Sequence, residues 1–205
     1  VVYNMHAYLI SFPLQGRDLH MTLFKAFERL GVKDFLPSNP SKKSVIFHTN
    51  GRFIIARLKS PLEGAISVSK ETLNATQGST ISGLVTLSRD QSKMFSPEQQ
   101  KEFIAKHGRL PKSSENHFNI RMTNEQVKDY ITSLFERSGM SLIDFKISDS
   151  PLAYQMMSKR KKVFKTMDIS FHATITDIAA FEHAWLNGIG QLKTYGFGML
   201  RVGVI

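Results

Sequence analysis

Apolar and polar residues alternate at strand spacing over Val2–Phe12, and Pro13 closes the run. Within Arg17–Leu30 the period lengthens, with Leu19, Leu23, Ala26, Phe27 and Leu30 recurring at helical spacing. Asp18 is placed to cap this helix and Gly31 to stop it. Two short β-rich runs, Ser44–His48 and Arg52–Leu58, flank Asn50-Gly51, a pair that supplies the positive φ angles of a tight hairpin turn. Ile66–Leu73 offers one more strand.

A second series begins near Gln77-Gly78 with a strand over Thr80–Leu87. Ser88–Met122 is polar and broken by Pro97, Gly108 and Pro111, which predicts loop with a short helix around Pro97–Lys106. Asn124–Arg137 is the clearest helix: Val127, Tyr130, Ile131, Leu134 and Phe135 share one face, and Asn124 is a candidate N-cap. Leu142–Ile147 and Val163–Ile175 read as strands flanking a basic tip, Asp177 caps a helix through Trp185, Gly188–Gly198 is a loop, and Met199–Ile205 is a final strand. The order is roughly β-α-β-β, repeated. It predicts an α+β chain of two tandem ferredoxin-like (βαββαβ-type, RRM-like) domains, at 1–77 and 78–205, without a fixed-period sequence repeat.

Gly188-Ile189-Gly190-Gln191-Leu192-Lys193-Thr194-Tyr195-Gly196-Phe197-Gly198 places four glycines in eleven positions. Glycine admits left-handed backbone and close approach of a ligand, so consecutive exposed N–H groups here would cradle phosphate oxygens, with Lys193 adding a point charge. A packing role stands beside this: Gly188 would end the preceding helix, and Gly196 and Gly198 would relieve crowding before an edge strand. A dinucleotide loop is excluded because this one runs from helix to strand, and a Walker A loop because no Gly-Lys-Ser/Thr follows.

Charge sharpens the picture. The 205 residues carry 27 Lys and Arg against 17 Asp and Glu, a formal charge of +10, which favours a polyanionic partner. Hydrophobic residues at 41% suffice for a core. The absence of cysteine excludes disulfides, cysteine nucleophiles and thiolate metal sites, and suits a reducing, cytoplasmic setting. No apolar run reaches the length of a membrane helix, and the opening residues lack the pattern of a secretory signal. The densest cationic run, Lys159-Arg160-Lys161-Lys162 with Lys165 beyond it, falls between strand candidates. On a hairpin it would follow RNA phosphates, although a solvated loop remains open as its role. Lys42, Lys43, Lys106, Arg109, Lys112 and Arg121 would widen the basic surface.

The stretch Asn187–Leu200, with its Gly-Ile-Gly-x-x-Lys-x-x-Gly-x-Gly-Met-Leu, resembles the glycine-rich loop of the CRISPR repeat-processing endoribonucleases of the RAMP superfamily, in particular the CasE (Cse3) type. The resemblance covers most of the chain in element order and is specific in sequence over the last third. The region Gln91–Asn119 carries no matching motif. It implies two ferredoxin-like domains, binding of a CRISPR repeat stem-loop, cleavage at the 3′ base of the stem, retention of the guide RNA, and partnership with other subunits of a Cascade-like effector of type I-E or type IV.

RNA supplies its own nucleophile, since a 2′-hydroxyl attacks the adjacent phosphate once a base takes its proton. Metal is therefore optional, and no His or acidic cluster has metal-ligand spacing, so neither metal nor cofactor is expected. Of seven histidines, His20 is the catalytic candidate: it opens His20-x-x-Leu23-Phe24-x-x-Phe27 in the first helix, where the resembled family places its histidine. Lys193 and Arg17 would neutralise the scissile phosphate. Tyr8 or Tyr3 would assist; their opposite parity puts them on opposite sheet faces, and spacing does not choose between them. His6 is a weaker alternative, His172 and His183 read as structural, and His107 and His117 lie in the unmatched polar region. A guide-RNA-binding subunit without catalysis, or a generic RNA-hairpin-binding module, are the competing readings.

Overall fold

A computed structural model describes residues 1–16, 18–36, 45–62, 68–113, 115–149, 153–157 and 160–205. The first alternating run forms β1 (Tyr3–Pro13), whose faces separate by parity. Met5 and Ala7 enter one core, while Tyr8, Ile10 and Phe12 join another. α1 (Leu19–Arg29) starts where the Asp18 carboxylate accepts the Met21 N–H at 2.9 Å. Its Leu19, Leu23 and Phe27, four residues apart, are buried over Ile10, Phe47, Ile54, Ala56 and Leu58.

β2 (Ile46–Thr49) and β3 (Phe53–Leu58) form the expected hairpin, but with Gly51-Arg52 rather than Asn50-Gly51 at its tip, Asn50 N–H donating to the Phe53 carbonyl at 3.3 Å. Only Gly51 of the Asn-Gly pair has positive φ, +87°. Asn50 instead closes the turn with its side chain, Oδ1 accepting from the N–H groups of Arg52 and Phe53 at 3.0 and 2.8 Å. β4 (Val68–Ala75) completes an antiparallel sheet in the order β2-β3-β1-β4. Ile66, read as the start of that strand, lies outside the described residues. Among those residues α1 is the sole helix of this sheet's segment.

The second series contains β5 (Thr80–Ser88), β6 (Asp90–Met94), α2 (Pro97–His107), β7 (His117–Arg121), α3 (Asn124–Arg137), β8 (Met140–Asp149), β9 (Ala153–Met157), β10 (Arg160–Phe164), β11 (Thr166–Ile175), α4 (Ile178–Asn187), a 3-10 turn at Lys193–Tyr195, and β12 (Arg201–Val204). Setting aside the two-stranded ribbons β6–β7 and β9–β10, the remainder is a βαββαβ unit with sheet order β12-β5-β11-β8, antiparallel throughout. Three expectations are corrected. Ser88–Met122 is not loop around one helix, because β6 and β7 pair across it and enclose α2. The cap of α3 is Thr123 rather than Asn124: Thr123 Oγ1 accepts from the Gln126 N–H and Gln126 Oε1 from the Thr123 N–H, a reciprocal capping box. Val163–Ile175 divides into β10 and β11 at Lys165, so the basic run belongs to its own ribbon.

α3 and α4 cover one face of the second sheet with Val127, Ile131, Phe135, Phe181 and Trp185, against Ile81, Val85, Ile169 and Phe171. This core does not stop at its own half. Met5, Ala7, Leu73 and Ala75 of the first sheet belong to the same cluster. The first sheet is thus packed on both faces, α1 on one side and the second half on the other, which fixes how the halves meet.

Candidate functional site

α1 of the first half and the Lys193–Tyr195 turn of the second come together at the β2 edge of the first sheet. α1 carries His20 in its first turn, half-buried, with its ring edge-on to Phe24 at 4.1 Å between centroids. The turn Lys193–Tyr195, from the other half, packs against α1 and β2. Lys193 is half-buried. Just before it stands Leu192 at φ +60°, the one non-glycine with positive φ among the described residues. A branched side chain in that conformation is costly and persists only where its surroundings hold it, a feature that concentrates at functional sites. Tyr195 packs on Phe164 at 4.8 Å, and Phe164 on Phe197 at 5.7 Å. Since Phe164 ends β10, the root of the basic ribbon is anchored to the same turn.

The glycines give this loop its path. Gly188, Gly196 and Gly198 are buried with φ between +74° and +86°. A Cβ would meet Ile46 at Gly188, the Phe47 ring at Gly196, and the Ile189 carbonyl oxygen at 2.0 Å at Gly198. Their N–H groups are used inside the protein, donating to the carbonyls of Ala184, Lys193 and Thr86 respectively. The expected row of consecutive exposed N–H groups across the whole loop is therefore not formed, because the end of α4, the Lys193–Tyr195 turn and the Thr86 carbonyl of β5 take up these donors within the second half. Gln191 and Thr194 remain exposed at its crest, beside Lys193.

Tyr8 lies on the α1 face of β1, among the residues packed on that core, whereas Tyr3 is exposed and on the opposite face. Arg17 and Lys159 lie outside the described residues. Arg160, Lys161 and Lys162 lie on β10, paired with Met157, Met156 and Gln155 of β9. Lys165 follows them, its carbonyl accepting from the Arg89 N–H at 2.8 Å. Arg121 is on β7 and is ion-paired with Asp90 at 3.2 Å, so a phosphate there would compete with a carboxylate. The β6–β7 ribbon still borders the loop, since Gln191 Oε1 accepts from the Ser92 N–H at 3.2 Å.

Two histidines read as structural, His172 and His183, lie at exposed positions. His172 sits on the open face of the second sheet, its Nδ1 in a 2.8 Å hydrogen bond with Asp144 Oδ1, by a cavity of about 680 Å³ also lined by Ser82, Ser170, Lys146 and Arg201. His183 is on the outer side of α4. His6 bonds Thr72 Oγ1 at 3.2 Å. Sequence reasoning missed two groups at the seam. Arg57 is almost fully buried between the halves. Burial, with Arg201 and Arg57 nearby, pushes His48 down from 6.5 to about 4. The available signal was an arginine inside the apolar strand Phe53–Leu58. Among the described residues no group of three or more His, Asp or Glu is placed to hold a metal ion, and no helix is long and apolar enough to cross a membrane.

These features define a tandem ferredoxin-like protein in which a glycine-rich turn of one half meets the first helix of the other, with a basic ribbon rooted beside that turn. A family model described as CRISPR associated protein matches residues 71–203. The chain belongs to that family of CRISPR-associated proteins. Cas6e from Escherichia coli K-12 is similar over 98% of this chain and 100% of that chain, with TM-score 0.63 and 12% identity. Thermus thermophilus Cse3, bound to an RNA representing a pre-cleavage complex, is similar over 98% of both chains at TM-score 0.61 and 11% identity. A chain of a CRISPR RNA-guided surveillance complex, pre-nicking, aligns over 97% of this chain and 100% of that chain at TM-score 0.60 and 18% identity. At these identities the likeness establishes the fold, two ferredoxin-like halves. No curated protein matches the chain.

Proposed function

We propose that the chain is a CRISPR repeat-processing endoribonuclease, with 1–77 and 78–205 as its two domains. It binds the repeat stem-loop, cuts it without metal, and stays on the guide RNA within a Cascade-like effector of type I-E or type IV. The observation that carries the reading is the packing of the Lys193–Tyr195 turn of one half against α1, which bears His20, of the other. The similar structures described as an endoribonuclease bound to 19-nucleotide RNA and as a pre-cleavage complex support it.

In this reading His20 takes the proton of a 2′-hydroxyl, and that oxygen attacks the neighbouring phosphorus. The bond to the 5′-oxygen breaks and that oxygen gains a proton, leaving a 2′,3′-cyclic phosphate and a 5′-hydroxyl. Lys193, with Arg17, offsets the charge that builds on the phosphorane, and Tyr8 assists. Lys159, Arg160, Lys161, Lys162 and Lys165 follow the stem phosphates. A-form RNA hides its base edges in a deep, narrow groove, so contact of this kind reads shape more than sequence. Gly188, Gly190, Gly196 and Gly198 shape the loop around the bound strand, and Arg121 extends the cationic border.

The test is incubation of the protein with its host's repeat RNA in EDTA, with product ends mapped. Cyclic phosphate ends are expected, with His20→Ala slowing cleavage by about 10²–10⁴-fold while stem-loop affinity is kept. Undiminished cutting by His20→Ala refutes the assignment. RNA bound but left whole by the wild-type chain favours a guide-RNA-binding subunit.

A further inference from the structure

Arg57 is the buried charge that this mechanism leaves unused. It comes from β3, is 2% exposed, and reaches partners on two sides of the seam. Within the first sheet it crosses over β1 to Glu71 of β4, Nε to Oε2 at 2.8 Å and Nη2 to Oε1 at 3.0 Å, a two-pronged pair. The β1 residue opposite Glu71 is Ala7, small and fully buried, which leaves room for that crossing. Into the second half it donates Nη1 to the Trp185 carbonyl at 2.7 Å, and its guanidinium lies 4.7 Å from the centroid of the Trp185 ring.

Trp185 is in the last turn of α4, whose final carbonyls lack intrahelical partners and whose last turn has no basic residue of its own. Arg57 therefore caps α4 from the other half. The chain leaves that capped turn directly into Gly188 and, five residues on, Lys193. His20 is fixed to the first sheet through α1, so this clamp, together with the direct packing of the Lys193 turn on α1 and β2, fixes the relative placement of His20 and Lys193.

Resting on the nuclease reading above, we infer that Arg57 is a positioning residue for cleavage: it locks the end of α4 to the first sheet and so sets the spacing between α1 and the Lys193 turn. Lysine at this position keeps the charge but loses the fork that serves Glu71 and Trp185 together. A displacement of about 1 Å at a reacting centre costs on the order of 10²-fold in rate.

The chain has no cysteine, so labels can be placed at will. Lys25→Cys on α1 and Thr194→Cys in the loop, both at exposed positions, carry spin labels for a distance measurement without RNA. Single-turnover cleavage at saturating repeat RNA gives a rate constant and an amplitude, and a 2′-deoxy substrate gives affinity. For Arg57→Lys we expect a broadened or displaced label distance, a rate constant lower by about 10²-fold, full amplitude, and affinity within about threefold. Loss of stability alone would lower the amplitude and leave the constant. A wild-type rate constant in Arg57→Lys, or a fall in amplitude only, overturns the inference while the nuclease reading stands. If the wild-type chain leaves the RNA whole, the nuclease reading falls, and Arg57's part in cleavage with it, whatever the distance shows. Should Arg57→Lys fail to fold, Glu71→Gln decides: cleavage about tenfold slower at unchanged affinity is expected, and wild-type cleavage overturns the clamp.

Discussion

Gly198→Ala separates the two roles open to the glycine-rich loop. At φ +85° an alanine carries the left-handed backbone cost, about 1–2 kcal/mol. Its Cβ would also stand 2.0 Å from the Ile189 carbonyl oxygen, a backbone atom that cannot rotate aside. Relieving that clash disturbs two hydrogen bonds, Ile189 N–H to the Gly198 carbonyl at 2.9 Å and Gly198 N–H to the Thr86 carbonyl at 2.8 Å. At about 0.5–1.5 kcal/mol each, the total loss is about 2–5 kcal/mol. Gly31→Ala is the internal control, because Gly31 has φ +70° and nothing within 4 Å, leaving the backbone cost alone. Gly196→Ala falls between, since its Cβ meets the Phe47 ring edge at 2.9 Å. Urea denaturation followed by tryptophan fluorescence should rank stability as Gly31→Ala above Gly196→Ala above Gly198→Ala. In thermal melts each kcal/mol moves the midpoint by about 2–4 °C for a chain of this size. Equal midpoints for Gly198→Ala and Gly31→Ala refute the reasoning. Lower RNA affinity with no change in stability would assign the glycines to phosphate binding instead.

Other outcomes follow from the seam and the ribbon. His48 stays neutral in the folded chain down to about pH 4, whereas unfolded it takes its proton near 6.5, so acid favours the unfolded state between those values. Wild type should lose about 1–2 kcal/mol as pH falls from 6.5 to 4, after discount for partial solvent screening, and His48→Gln should flatten that segment of a stability–pH curve. Lys193→Ala should slow single-turnover cleavage by on the order of 10²-fold and change affinity little, measured with the 2′-deoxy substrate in parallel. Neutralising Arg160, Lys161 and Lys162 to Gln should make the dependence of log affinity on log salt shallower, by about 0.7–0.9 for each phosphate the ribbon no longer neutralises. An unchanged slope would remove β10 from the interface.

The periodic elements were legible because packing and pattern agree in them. Leu19, Leu23 and Phe27 announce α1, and Val127, Ile131, Leu134 and Phe135 announce α3, since each stripe has one buried face. β6 was not legible, because its one apolar residue, Met94, is exposed and the strand rests on pairing with β7 rather than on burial. His117–Arg121 did alternate, with Phe118 and Ile120 between exposed residues, but without a visible partner five residues make a weak signal. The candidates Lys193 and His20 rest on the glycine motif and on the family resemblance of the first helix, and the structure brings their two segments into contact. Arg57 was not, since its worth depends on Glu71 and Trp185, which lie 14 and 128 residues away. The glycine pattern leaves a ligand role and a packing role open, and three of the glycines meet Ile46, Phe47 and Ile189 inside the protein.

The central claim is that α1 and the Lys193 turn meet on one sugar–phosphate junction. Photo-crosslinking tests it most directly, with a repeat stem-loop made uncleavable by a 2′-deoxy nucleotide and carrying a photoreactive group at that junction. Joint labelling of peptides containing His20 and Lys193 is predicted. Crosslinks confined to the open face of the second sheet, around His172 and Ser170, would contradict it.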